Sequence, residues 1–94
     1  MHPLIETHRQ QLRELAARRG IVDLRVFGSM ARDDADASSD VDLLVTLPPG
    51  VSALALGGLL MDVQDLLQRP VDVVTESALH PALRDDVLAS CIPL

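Results

Sequence analysis

Ile5, His8, Leu12, Leu15 and Ala16 recur at helical spacing near the start of the chain. Pro3 suits a first helical turn and Gly20 suits a C-terminal cap, so the pattern predicts a helix over residues 4–19. The next seven residues, 21–27, are rich in β-branched and apolar types and predict a strand that stops at Gly28. Ser29 to Arg32 fits one helical turn, and the small, polar run 33–39 reads as a loop. A second strand is predicted over 40–47, where Pro48-Pro49-Gly50 ends it. Leu59, Leu60, Val63, Leu66 and Leu67 mark a helix over 52–68, weakened early by Gly57-Gly58. Pro70 introduces a third strand at 71–75, and Leu83, Val87 and Leu88 support a last helix over 81–90. Residues 92–94 fit an edge strand or a tail equally well. The order of elements defines an α/β class, with a small mixed sheet of three to four strands flanked by helices.

Composition narrows the picture. The 94 residues suit one domain, residues 1–94, and at 48% hydrophobic they can pack a core. Phe27 is the only aromatic residue, so that core is built from Leu, Val, Ile and Ala. The formal net charge is -6 and every basic residue is an Arg. An acidic chain without aromatic stacking platforms is a poor partner for nucleic acid, and no direct nucleic-acid binding is expected. A basic protein partner or a metal-bound ligand suits the charge better. Cys91 is the only cysteine, which rules out an internal disulfide. No signal peptide is evident at Met1-His2-Pro3-Leu4, and no apolar run approaches the roughly 20 residues of a membrane span. The expectation is a reducing cytoplasm and no membrane.

The chemistry is concentrated in three aspartates. Side chains alternate across a strand, so Asp40 and Asp42 are expected on one face of the second strand, with Val41, Leu43 and Val45 on the other. Two carboxylates this close repel when ionised, and a divalent cation offsets the repulsion. Hard oxygen donors favour magnesium or manganese over zinc. Asp72 interrupts an otherwise apolar third strand, where a carboxylate is costly unless it faces a cation or sits at a sheet end. If the second and third strands pair, Asp72 completes a three-carboxylate site able to hold two metals. Upstream, Gly28-Ser29 follows the first strand directly: the glycine admits a phosphate close to the backbone, and Ser29 adds a hydroxyl.

Gly28-Ser29-Met30-Ala31-Arg32, a short polar loop and Ser39-Asp40-Val41-Asp42-Leu43-Leu44-Val45 together resemble the signature of the DNA polymerase β-like nucleotidyltransferases. The short chain and the Gly-Ser-x-Ala-Arg variant are most similar to the minimal, MNT-type members. Many of those are antitoxins paired with a HEPN-domain ribonuclease toxin. The resemblance runs from about Val26 to Val74 and implies a polymerase β-like fold. It implies that Gly28 and Ser29 hold a triphosphate, with Arg32 as a further phosphate contact. It implies that Asp40 and Asp42 bind metal, and that Asp72 binds one metal and helps activate an acceptor hydroxyl. The implied substrate is ATP with magnesium or manganese, and the implied acceptor is a tyrosine of a HEPN toxin. One departure is Asp33-Asp34 after Arg32, where related chains often carry a glycine and an acidic residue.

Simpler readings stand beside these. Asp-x-Asp can be a solvated strand start, Asp72 an edge charge that discourages aggregation, and Ser29 a helix cap. Arg32 and Arg69 suit surface ion pairs as well as ligand contact. Asp33, Asp34 and Asp36 read as loop solvation, and His80 as a turn residue. Three functions follow: nucleotidyl transfer to a toxin, an antitoxin acting by contact with little catalysis, and transfer to a small molecule such as an aminoglycoside. The short chain argues against the third.

Overall fold

The computed structural model describes residues 1–94. Its elements, in chain order, are α1 (Pro3–Thr7), α2 (Arg9–Arg18), β1 (Asp23–Phe27), α3 (Ser29–Arg32), β2 (Val41–Thr46), α4 (Leu54–Leu67), β3 (Val71–Thr75), a 3-10 turn (Glu76–Ala78), α5 (Pro81–Ser90) and β4 (Ile92–Pro93). The expected first helix is two helices. At the break the His8 ring nitrogen donates to the Leu4 carbonyl at 2.7 Å, taking the acceptor that a continuous helix would give to a backbone N–H. Both helices that open with His-Pro are capped alike. His2 Nδ1 accepts from Leu4 N at 3.0 Å, and His80 Nδ1 accepts from Ala82 N at 3.1 Å.

The end of α2 explains why the first strand starts later than its composition suggests. Gly20, at φ 77°, turns the chain, while Ile21 N donates to Ala16 O at 2.9 Å and Gly20 N to Ala17 O at 3.0 Å. This is a Schellman closure. It consumes Ile21 as the buried partner of Ala16, so the ladder begins only at Asp23.

The sheet is four-stranded in the order β3-β2-β1-β4. β1 pairs antiparallel with β2 and with β4, and β2 pairs parallel with β3. A parallel pair needs a crossover, and α4 supplies it. Residues 92–94, open from sequence, form an edge: Ile92 and Pro93 pair with β1, and Leu94 N donates to Leu24 O at 2.9 Å. Proline is tolerated there because an edge strand has an unpaired side.

One sheet face is dry. Leu24, Val26, Val41, Leu43, Val45, Val71 and Val73 are buried with Ile5, Leu12, Ala16, Leu59, Val63 and Leu67 of the helices. Leu59, Val63 and Leu67 recur every four residues along α4, the stripe a sheet-facing helix requires. The opposite face is dry only in its middle, where Leu44 is 3% exposed and the Glu76–Ala78 turn lies against β2. α5 buries none of its residues, and Leu83 on it is 57% exposed. No helix is long and apolar enough to cross a membrane.

Candidate active site

The strand registers set the site. Phe27 is opposite Asp42 across β1 and β2, and Asp42 is opposite Asp72 across β2 and β3. Residues directly opposite one another share a face, so Phe27, Asp42 and Asp72 form one row across three strands. That row lies on the face away from α2 and α4, since its neighbours Val26, Val41, Leu43, Val71 and Val73 fill the core. Asp42 is half-buried, whereas Asp72 is exposed. Asp40 differs from expectation: the ladder starts at Val41, so Asp40 is an exposed residue just ahead of the strand rather than part of its pleat. The reason is Val41 N, which donates to Pro70 O at 3.0 Å and makes Val41 the first paired residue.

The electrostatics agree with the geometry. Asp42 is held above the usual carboxylate range, first by burial, then by repulsion from Asp72 and from Asp40, with Arg32 opposing. Asp40 and Asp72 are thus both near enough to Asp42 to repel its charge. No three His, Cys, Asp or Glu side chains lie close enough together to form a metal site as they stand. Were Asp40, Asp42 and Asp72 to draw together on a cation, an all-oxygen donor set would suit a hard divalent ion such as magnesium.

Gly28 borders the row. It follows Phe27, takes φ 70° and ψ -152°, and caps α3. A Cβ built on it would meet the Asp42 carboxylate, with Asp42 Cγ at 3.4 Å. Ser29 is the first residue of α3. That helix is a single turn, so any phosphate affinity comes from its local N–H groups rather than from a macrodipole. Gly28 O accepts from Ala31 N and Arg32 N at 3.1 and 3.2 Å, which fixes the turn. Arg32 is exposed and paired to Asp34, Nε to Oδ2 at 3.2 Å, while still close enough to Asp42 to favour its ionised form. Asp33 ends α3 in the left-handed region at φ 66°, a conformation that favours glycine. Its carboxylate is 3.7 Å from the N-terminal ammonium.

Two residues read as solvated surface prove to be structural. The Asp36 carboxylate accepts from Ser38 N at 2.9 Å, Ser38 Oγ at 2.8 Å and Ser39 Oγ at 3.3 Å. These bonds, the two from Ser38 foremost, hold it below the ordinary aspartate range. The Asp-x-Ser-Ser spacing is the sequence signal for such a turn. Arg69 Nη1 donates to Asp36 O and Ser39 O at 2.9 and 3.3 Å, contacts for which the sequence carries no local signal. A cleft of about 510 Å³ lies elsewhere, between α2 and the β1–β4 edge, and shares no residue with the aspartate row.

The chain belongs to the nucleotidyltransferase domain family, which matches residues 5–94. It is 34% identical over 89 residues to the protein adenylyltransferase MntA of Thermococcus cleftensis, spanning 95% of this chain and 87% of that one. It is 36% identical over 73 residues to a candidate protein adenylyltransferase of Methanocaldococcus jannaschii, spanning 78% of each. A solved structure of a candidate minimal nucleotidyltransferase has 42% identity and a TM-score of 0.85, and covers 100% of this chain and 97% of its own. The fold is shared more distantly with a toxin–antitoxin crystal structure containing AMP-PNP, at 19% identity and a TM-score of 0.74 over 89% of this chain and 69% of that one. Minimal nucleotidyltransferase is thus the class, and nucleotidyl transfer the activity that goes with it.

Proposed function

We propose that residues 1–94 act as one catalytic domain that moves AMP from ATP to a tyrosine hydroxyl of a HEPN-type toxin, and so serve as its antitoxin in the cytoplasm. The observation that carries this reading is the Asp42–Asp72 register pair with Gly28 beneath it and Asp40 at its end. Asp40, Asp42 and Asp72 would hold magnesium or manganese, which when bound supplies charge neutralisation for the phosphoryl oxygens. Gly28 leaves the backbone open to the triphosphate, and the Ser29 hydroxyl donates to a phosphate oxygen. Arg32 adds a cation once it exchanges Asp34 for phosphate. Asp72, exposed at the row's end, takes the proton of the acceptor hydroxyl. The hydroxyl oxygen bonds to the α-phosphorus, the α–β bridging bond breaks, and pyrophosphate leaves. Support for a protein acceptor comes from the adenylyltransferase relatives and from the toxin–antitoxin complexes that share the fold.

A second reading is neutralisation by contact alone. It is favoured by Arg32 being engaged with Asp34 and by the absence of a preformed cage. One experiment separates the two. The purified protein is mixed with a purified HEPN-type toxin, labelled ATP and magnesium, and label on the toxin is followed with toxin activity. The catalytic reading expects labelling by wild type and a loss of at least about 10²-fold in Asp72→Asn, the worth of a positioned base. Neutralisation by Asp72→Asn equal to wild type would leave contact as the mechanism.

A further inference from the structure

Asp40 is the least supported member of the row. It precedes β2, its side chain is exposed, and its carboxylate makes no hydrogen bond within the protein. Its two flanking peptide groups are nonetheless fixed, and by consecutive residues of one distant segment. On one side the Ser39 carbonyl accepts from Arg69 Nη1 at 3.3 Å. On the other side Val41 N donates to the Pro70 carbonyl at 3.0 Å. The same Arg69 nitrogen donates to Asp36 O at 2.9 Å. Asp36 O and Ser39 O are the two ends of the turn that the Asp36 carboxylate closes from within, where Asp36 N also donates to Ser39 Oγ at 2.9 Å.

We infer that Arg69 is a positioning residue, whose guanidinium locks the 36–39 turn and thereby holds the Asp40 carboxylate toward the Asp42–Asp72 register pair. The inference rests on the metal-binding reading of these aspartates given above. Arginine suits the task because it stays charged and its planar head holds a fixed direction. Bonds from an ionised donor are about twice as strong as neutral ones, enough to order an exposed loop. The path back to the loop is also fixed. Gln68, at φ 55°, ends α4 in the left-handed region and sends Arg69 toward residues 36–39, and Val71 N donates to Gln64 Oε1 at 3.3 Å. The Pro70 side of the clamp is backbone, so the part a substitution can remove is Arg69.

The test uses Arg69→Ala, Arg69→Lys and Asp40→Asn in the full chain. Backbone hydrogen exchange is read on the ligand-free protein, and manganese affinity is read with and without ATP. In Arg69→Ala, exchange at the Ser39 and Val41 amides accelerates about tenfold or more, as loss of a charge-assisted bond requires, while Leu43 and Val45 keep their protection. Manganese affinity falls toward that of Asp40→Asn. Arg69→Lys, which keeps a cation within reach of both carbonyls, recovers most of both. Unchanged exchange at Ser39 and Val41 in Arg69→Ala would overturn the clamp whatever the site binds. Wild-type manganese affinity in Arg69→Ala, alongside weakened affinity in Asp40→Asn, would overturn the positioning role while sparing the site. Equal affinity in wild type and Asp40→Asn would remove the metal site and the inference with it.

Discussion

Gly28 and Asp42 share one volume: the space a side chain on Gly28 would need is filled by the Asp42 carboxylate. Glycine is therefore required twice over, for its φ of 70° and for the room it leaves on the carboxylate row. Gly28→Ala should cost about 1–3 kcal/mol from the backbone at φ 70° and ψ -152° alone, and more from the collision. It should also abolish the thermal stabilisation given by ATP with magnesium. A cycle with Asp42→Gly separates the two causes, since the collision term vanishes when the carboxylate is gone and the backbone term does not. Equal costs in both backgrounds would mean that Asp42 swings aside freely.

Asp42 should destabilise the ligand-free fold when ionised. Its folded pKa is raised, by burial and then by Asp72 and Asp40, so above the ordinary aspartate value the native state holds the proton more tightly than the unfolded chain. Stability attributable to this group is thus lost as pH rises from the ordinary value through the raised one. Asp42→Asn should melt higher than wild type at pH 7, and the gap should close below about pH 4, where the carboxyl is protonated in both states. Metal with ATP should reverse the order, stabilising wild type and leaving Asp42→Asn unmoved. A lower melting temperature for the apo variant at pH 7 would contradict the repulsion.

Ser29→Ala should weaken ATP binding by about three- to tenfold, the worth of one hydrogen bond, without moving the melting temperature of the free protein. The Ser29 side chain caps nothing, because Gly28 occupies the cap position. Isothermal titration with magnesium present measures the first effect and calorimetry the second. Unaltered affinity would place the triphosphate away from α3.

Gly57→Ala should stabilise the protein by about 1 kcal/mol, the helix-propensity difference, because a Cβ there meets nothing within 4 Å. For a domain of this size the melting temperature should rise by about 4–8 °C. Gly58→Ala is expected to gain less. Its Cβ would run into the Arg19 guanidinium, which lies across α4 and pairs with Asp62 at 3.0 Å, and that flexible side chain would have to move. Equal gains at both positions would show that Arg19 does not rest on Gly58 in solution.

Much of the fold was legible because local chemistry and global structure agree. α5 begins at Pro81 and ends at Ser90 as the pattern indicates, α3 spans Ser29–Arg32, and β3 spans Val71–Thr75. The alternation Val41, Leu43, Val45 sorted β2 into core and outer faces, since a one-residue shift would turn all three out of the core. Gly28-Ser29 and the three aspartates could be nominated from spacing and residue type, because a carboxylate in an apolar strand needs a reason to be there. By itself, then, the sequence determined the class and most of the elements, and it nominated the acidic residues.

Tertiary structure decided what depends on partners far apart in the chain. Whether Asp72 stands beside Asp42 depends on the parallel register of β2 and β3, which no local window contains. The break at His8 depends on a ring nitrogen competing for a carbonyl, and periodicity passes straight through it. Residues 92–94 became a strand only because β1 offered an unpaired edge. Arg69 reads as one more surface cation until the chain brings it to the carbonyls of Asp36 and Ser39, some thirty residues earlier. Hydrophobic pattern is a property of neighbours in sequence, whereas register, edges and clamps are contacts made in space. Only the packed sheet could set Asp72 opposite Asp42.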